Sequence, residues 1–255
     1  MITSTSNAQV KQVVGLQTKA KARIESGLFI AEGTKIIKEL PESLRIRVFA
    51  SESYLINKEN ADFASQVGAE PIPDVVFRHM SDTKTPQGIL AVAKQKKFVW
   101  EDLLSGGPVM VLESIQDPGN LGTILRTGEA AGIGGILANR ETADRYNPKV
   151  VRATMGAIYR VPYYVSEDLE ADVKSLKMRG FQVYAAHLKG TAFYDQEDYR
   201  KSTAFLIGNE GNGLTESLAS LADTYIRIPM EGKVESLNAA VAASILMYEA
   251  YRQNR

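Results

Sequence analysis

From Val109 onward the chain alternates short apolar runs with longer amphipathic ones, and this alternation constrains its fold more than any other feature. Val109 to Leu112, Ile133 to Ala138, Val161 to Val165, Phe181 to Ala186, Ala204 to Ile207 and Thr224 to Ile228 read as strands. Leu121 to Ala131, Pro148 to Met155, Leu169 to Met178, Leu214 to Leu221 and Leu237 to Tyr251 read as helices. Asn147-Pro148 is a helix start, an asparagine cap followed by a first-turn proline. Strands that alternate with helices pair mostly in parallel, and the helices cover both faces of the sheet. Such sheets bind ligands beyond the carboxyl ends of their strands.

The first part of the chain reads as a smaller α/β unit. Up to Glu25 it carries Lys11, Lys19, Lys21 and Arg23 with no acidic residue, and Val10, Val13, Val14 and Leu16 give it a helical apolar face. Leu28 to Ala31 then reads as a strand, Thr34 to Leu40 as a helix, Ile46 to Ala50 as a strand, Glu52 to Val67 as helical and Gly88 to Ala93 as β-rich. Lys94-Gln95-Lys96-Lys97 breaks the apolar pattern and Ser105-Gly106-Gly107-Pro108 punctuates the next strand. The boundary expected here divides the chain into residues 1–97 and 98–255.

Composition narrows the function classes. The 255 residues are 44% hydrophobic, enough for real cores, and 30 basic side chains balance 30 acidic ones. No global positive field marks a nucleic-acid partner, so RNA or DNA binding has to rest on local patches. The absence of cysteine removes disulfides, thiolate nucleophiles and cysteine-ligated zinc, and the two histidines, His79 and His187, lack metal-ligand spacing. No metal is expected. There is no signal core and no apolar run of membrane-spanning length, so the expected location is the cytoplasm.

Three segments place small, amide and charged residues where a fold alone asks for apolar ones. The first runs from Asp117-Pro118-Gly119-Asn120-Leu121-Gly122 to Arg126-Thr127, the second is Gly208-Asn209-Glu210-Gly211-Asn212-Gly213, and the third is Ile228-Pro229-Met230 with Ser236-Leu237-Asn238. Each has a plain structural reading: Asn120 and Ser236 as helix caps, the glycine-rich loop as a turn, the alanine-rich helix as core. Against it, Arg126 near a helix start gains nothing from the positive end of the helix dipole, which leaves phosphate binding as a reason for it. The glycine-rich loop lacks the Gly-Lys-Ser/Thr of a P-loop and the Rossmann glycine spacing, and Glu210 suits a cation or a donor-rich ligand rather than phosphate. Three polar loops on one α/β unit predict one convergent pocket.

Together the segments resemble the SpoU (TrmH-like) family of RNA 2'-O-ribose methyltransferases, of the knotted SPOUT superfamily. Asn120-Leu-Gly122-Thr-Ile124-Leu-Arg126-Thr127 matches the first family motif, Gly208-Asn-Glu210-Gly211-Asn-Gly213 the second, and Ile228-Pro229-Met230 with Ser236-Leu237-Asn238 the third. Phe29-Ile30-Ala-Glu32-Gly33 and Thr85-Pro86-Gln87-Gly88-Ile89-Leu90-Ala91 resemble the family's N-terminal substrate-binding domain. Arg152-Ala153-Thr154-Met155-Gly156, where many members have Arg-Ala-Ser-Ala-Gly, and Gly128, where alanine is common, are mild departures.

The resemblance implies a trefoil-knotted, S-adenosylmethionine-dependent methyltransferase domain behind a smaller RNA-binding domain. It implies cofactor contacts from Gly208, Ile228, Met230 and Leu237. It makes Arg126 the candidate base, although a permanently protonated guanidinium is expected chiefly to bind the RNA phosphate beside the target ribose; Asn120, Glu210, Ser236 and Asn238 orient Arg126 and the ribose, and a bidentate pair between Glu210 and Arg126 is the expected arrangement. It further implies a homodimer joined through the knot and the C-terminal helix, whose slim face is Ala239, Ala240, Ala242 and Ala243. Ribosomal RNA is the expected substrate, contacted by the basic N-terminal stretch with Lys94, Lys96 and Lys97, although those lysines also fit a solvated linker. A transfer RNA methyltransferase and an RNA-binding relative without catalysis are the alternatives.

Overall fold

The computed structural model describes residues 2–255, and the chain forms two compact units: residues up to Lys96 together with Asp144–Tyr159, and Lys97–Ala143 together with Arg160–Arg255. The first unit therefore takes back a segment from the middle of the chain, where a single boundary near residue 97 was expected.

In the first unit the elements run α1 (Ala8–Thr18), α2 (Ala20–Ser26), β1 (Leu28–Glu32), α3 (Thr34–Glu39), β2 (Arg45–Ser51), α4 (Glu52–Leu55), α5 (Lys58–Gln66), β3 (Ala69–Ile72), α6 (Asp74–Met80) and β4 (Ile89–Lys94). The sheet order is β1-β4-β2-β3, with only β2 and β3 parallel. Side chains alternate across it as the pleat requires. Ile30, Phe49, Leu90 and Val92 face the α1 and α6 side chains Val13, Leu16, Phe77 and Met80. Phe29, Ala31, Val48, Ala50, Ile89 and Ala91 face the other way. That second face is closed partly by Tyr146, Val151, Ile158 and Tyr159, which explains why the returning segment belongs here. Phe29 and Tyr146 pack with ring centroids 4.6 Å apart.

Two cations assigned above to RNA are structural instead. The Arg23 side chain is 3% exposed; its Nε donates to Asp144 Oδ2 at 2.7 Å and its Nη1 to the Leu16 carbonyl at 2.7 Å. Lys96 Nζ donates to the Tyr159 carbonyl at 2.9 Å. Both hold the returning segment to the first unit. Lys11, Lys19, Lys21 and Lys94 remain exposed.

The second unit contains β5 (Val109–Leu112), α7 (Pro118–Ala131), β6 (Gly135–Ala138), then, beyond the returning segment with its helix α8 (Pro148–Thr154), β7 (Tyr163–Val165), α9 (Leu169–Met178), β8 (Gln182–Ala186), β9 (Ala192–Phe193), β10 (Thr203–Ile207), α10 (Glu216–Ala219), β11 (Thr224–Arg227) and α11 (Ala239–Asn254). All seven strands are parallel, in the order β7-β6-β5-β10-β8-β11-β9. Every residue of β5, β6 and β10 is buried, as expected for strands covered on both faces. From β5 the chain first builds outward through β6 and β7, then crosses to place β10 and β8 on the other side. The crevice beyond β5 and β10 is therefore a topological switch point. Leu112 lies opposite both Ile207 and Ala138, so these strands end level and their loops leave from one line.

The alanine face of α11 takes the core reading. Ala239, Ala240 and Ala243 are buried within the unit, where α11 packs against α7. Val241, Tyr248 and Tyr251 form the exposed face instead.

Replacing Arg23 with methionine leaves Asp144 Oδ2 and the Leu16 carbonyl without the donors that Arg23 supplies. Thermal or urea unfolding should register a loss of about 3 kcal/mol. An unchanged midpoint would mean that the returning segment is held by its apolar contacts alone.

Candidate active site

The three motif loops meet at the switch point, and polar side chains tie them together. After β5 the backbone turns at Ser114, which holds a left-handed conformation with φ of 56°. Asn139, just beyond β6, fixes that turn: its Oδ1 accepts from Ser114 N at 2.8 Å and its Nδ2 donates to Ser114 Oγ at 3.0 Å. The Ser114 carbonyl accepts from Asn209 Nδ2 at 2.8 Å, which ties the β5 loop to the β10 loop.

Asn209 also shapes the glycine-rich loop. Its backbone pairs with Gly213 in both directions, and its Oδ1 accepts from Gly211 N at 2.9 Å and Asn212 N at 3.1 Å. Gly208 must lack a side chain because a Cβ would lie 2.2 Å from the backbone of Gly213 and Leu214. The tight loop itself therefore requires this glycine, independently of any close approach by a ligand.

The loop projects Glu210 toward the start of α7. Its carboxylate accepts from Asn120 Nδ2 at 2.9 Å, from Asp117 N at 3.2 Å and from Gln116 N at 3.3 Å. Asn120 Oδ1 in turn accepts from Asn238 Nδ2 at 2.9 Å. Asn238 Oδ1 caps α11, accepting from Ala240 N at 2.9 Å and Val241 N at 3.3 Å. A carboxylate can only accept, so Glu210 dictates which way the Asn120 amide points, and Asn120 dictates the same for Asn238. One directed chain thus joins all three motifs. Burial pushes the Glu210 carboxyl upward, but the hydrogen bonds from Asn120 and from the Gln116 and Asp117 backbone outweigh it and hold the group below its ordinary range.

Three expected roles are corrected by this geometry. The cap of α7 is Asp117, whose Oδ1 accepts from Asn120 N at 2.8 Å, so Asn120 lies inside the first turn with its side chain available to Glu210. The cap of α11 is Asn238 and not Ser236. Glu210 does not pair with Arg126: Arg126 is exposed on α7 and makes no ion pair among the described residues.

Beside the chain lies a cavity of about 670 Å³, within the size range of small-molecule sites. Ile207, Ile226, Ile228, Leu237 and Leu246 supply apolar walls, and the Gly208–Gly213 backbone supplies polar groups. This donor set suits an adenosine, which needs an apolar slot and a few backbone partners. Gly208, Ile228, Met230, Leu237, Glu210 and Ser236 line the cavity, whereas Asn120, Arg126 and Asn238 do not. His187, Leu188 and Lys189, in the turn after β8, also line it and were not singled out in the sequence. Among the described residues no group of three or more His, Cys, Asp or Glu is arranged to hold a metal ion, and no helix is long and apolar enough to cross a membrane.

Comparison with known proteins identifies the family. Residues 107–248 match the SpoU rRNA Methylase family, and residues 7–91 match the MRM3-like substrate binding domain. The chain is 34% identical over 250 residues, 97% of each protein, to the 23S rRNA (guanosine(2553)-2'-O)-methyltransferase RlmP of Bacillus subtilis. The crystal structure of an AdoMet-bound rRNA methyltransferase from Sinorhizobium meliloti superposes with a TM-score of 0.84 at 32% identity, covering 98% of this chain and 97% of that one. The SpoU methyltransferase AviRb from Streptomyces viridochromogenes, in complex with AdoMet, gives 0.86 at 25% identity, covering 97% and 98%. A seven-stranded parallel sheet with the three motif loops joined at its switch point, matched over 107–248 and nearly end to end by these relatives, places the chain in the SpoU rRNA methylase family.

Proposed function

We propose that this protein transfers the methyl group of S-adenosylmethionine to a ribose 2'-hydroxyl of ribosomal RNA. The observation that carries the reading is the directed chain from Glu210 through Asn120 to Asn238, set beside a cavity of cofactor size. When bound, S-adenosylmethionine supplies a methyl group already activated by its sulfonium. What remains for the protein is to position a weakly acidic alcohol and to assist loss of its proton. Gly208, Ile228, Met230 and Leu237 would hold the cofactor, in the knotted arrangement that the family resemblance implies.

Arg126 acts as a phosphate anchor in this reading. A guanidinium in a protein is a permanent cation with a planar fork of donors, which suits it to bind the RNA phosphate beside the target ribose and not to abstract a proton unaided. Any part that Arg126 takes in removing the proton needs the help of that phosphate, and the Asn120 amide, held on both sides, orients the ribose. Ser236, at the cavity wall, completes the polar lining.

The first unit is the RNA-binding domain, and its exposed Lys11, Lys19, Lys21 and Lys94 supply the backbone contacts, so binding weakens as salt rises. The protein acts in the cytoplasm as a homodimer. The exposed Val241, Tyr248 and Tyr251 on one face of α11 support that state, and Val241→Glu with Tyr248→Glu should yield monomers by light scattering. A wild-type monomer would refute it.

The function is tested by incubating the protein with labelled cofactor and total RNA from cells lacking its gene. The label should appear in ribosomal RNA as an alkali-resistant 2'-O-methyl nucleotide; label on a base, or confined to transfer RNA, overturns the proposal. Arg126→Lys should reduce turnover on the order of 100-fold with cofactor affinity unchanged, because the fork and not the charge alone fixes the phosphate.

The Glu210 carboxyl, held low in the folded protein, contributes above its free value and loses its contribution as pH falls through the lowered one. Turnover should therefore persist down through the ordinary glutamate range and fall below it. Glu210→Gln should abolish that acidic limb along with most of the rate. A limb that survives the substitution belongs to another group.

A further inference from the structure

The charged lining of the cavity is mixed: Glu210 after β10 and Glu231 beyond β11 are acidic, whereas His187, Lys189 and Arg227, around β8, β11 and β9, are cationic or basic. In the sheet, Ala186 is opposite Ile226 and Phe193 opposite Arg227, which brings the turn after β8 next to the end of β11.

That turn is built rigidly. His187 N donates to the Ile226 carbonyl at 2.9 Å, Gly190 N to the His187 carbonyl at 2.9 Å, and Lys189 N to His187 Nδ1 at 3.1 Å. The His187 ring packs on Tyr225 with centroids 5.1 Å apart. Gly190 is buried, and a Cβ there would sit 2.8 Å from the backbone of Tyr225 and Ile226. A turn so constrained sets the Lys189 backbone at the cavity rim. Lys189 itself makes no ion pair among the described residues, while the Arg227 guanidinium lies 4.6 Å from the centroid of the Phe193 ring.

S-adenosylmethionine joins its adenosine through a sulfonium to an amino acid tail that holds an ammonium and a carboxylate. No carboxylate lines the β8 turn, and the cavity's acidic residues are Glu210 and Glu231. We propose that Lys189, positioned by the His187–Gly190 turn, binds the carboxylate of the cofactor's amino acid tail, with Arg227 as the second cation. The inference rests on the methyltransferase reading above. It makes Lys189 a determinant of selectivity for the intact cofactor over fragments that lack the tail, without touching the methyl group.

The test is calorimetric titration of the full-length protein and of Lys189→Ala with S-adenosylmethionine and with 5'-methylthioadenosine, which keeps the adenosine and sulfur but has no amino acid tail. Lys189→Ala should weaken S-adenosylmethionine about tenfold, as expected for one charge-assisted hydrogen bond, and leave 5'-methylthioadenosine unchanged. Lys189→Glu should weaken the cofactor further, again sparing the fragment. Equal losses for both ligands would assign the effect to the shape of the turn, and no loss for either would place the carboxylate elsewhere; both results overturn the inference. A wild-type protein that binds no S-adenosylmethionine would instead refute the proposed function. An unchanged unfolding temperature shows that each variant is folded.

Discussion

The arrangement of the site depends on one acceptor. Glu210 is ionised and cannot donate, and it is met by the Asn120 amide and by two backbone N–H groups at the entrance to α7. From that fact follow the orientation of Asn120, then of Asn238, then the cap of α11. Each bond is modest alone and each lies near solvent, so their value is geometric. They lock loops from three separate parts of the chain into one register, and they fix the orientation of the Asn120 amide.

The chain stands on a rigid base. β5 and β10 are buried along their whole length, end level, and define the switch point from which both loops leave. The cross-ties from Asn139 to Ser114 and from Ser114 to Asn209 carry that rigidity into the loops. Gly208 permits the close turn that brings Glu210 back toward α7. Arg126 stays outside this network. A phosphate ligand has to find an unpaired guanidinium, and a Glu210–Arg126 pair would have neutralised it.

Much of the fold could be read from the sequence because strand and helix periods are clear in the second half: β5, β10, α9 and the start of α8 at Asn147-Pro148 lie where the pattern puts them. Elements with weak periodicity could not. β3 is four residues with only Ile72 buried, and it carries Pro71, so it gives no alternation to read. The return of Asp144–Tyr159 to the first unit is a tertiary choice made by Tyr146, Val151 and Ile158, which look like ordinary core residues in sequence. At the site, the motifs located the loops but not the partners. Charge complementarity pointed from Glu210 to Arg126, while the folded chain satisfies Glu210 with amides. The Asp117-Pro118 pair carried a readable cap signal that placed the helix start earlier than Leu121. Asn209, Asn139 and the His187 turn act through backbone geometry, and no spacing rule announces them.

The central claim is that Glu210 and Asn238, which do not touch, act through Asn120 as one unit. A double-mutant cycle on the rate of methyl transfer tests it most directly, using Glu210→Gln, Asn238→Ala and the double variant. If the chain is a unit, either single change breaks it, and the double variant should be little slower than the worse single one. Losses that simply add would show that the two residues work independently, and would contradict the account.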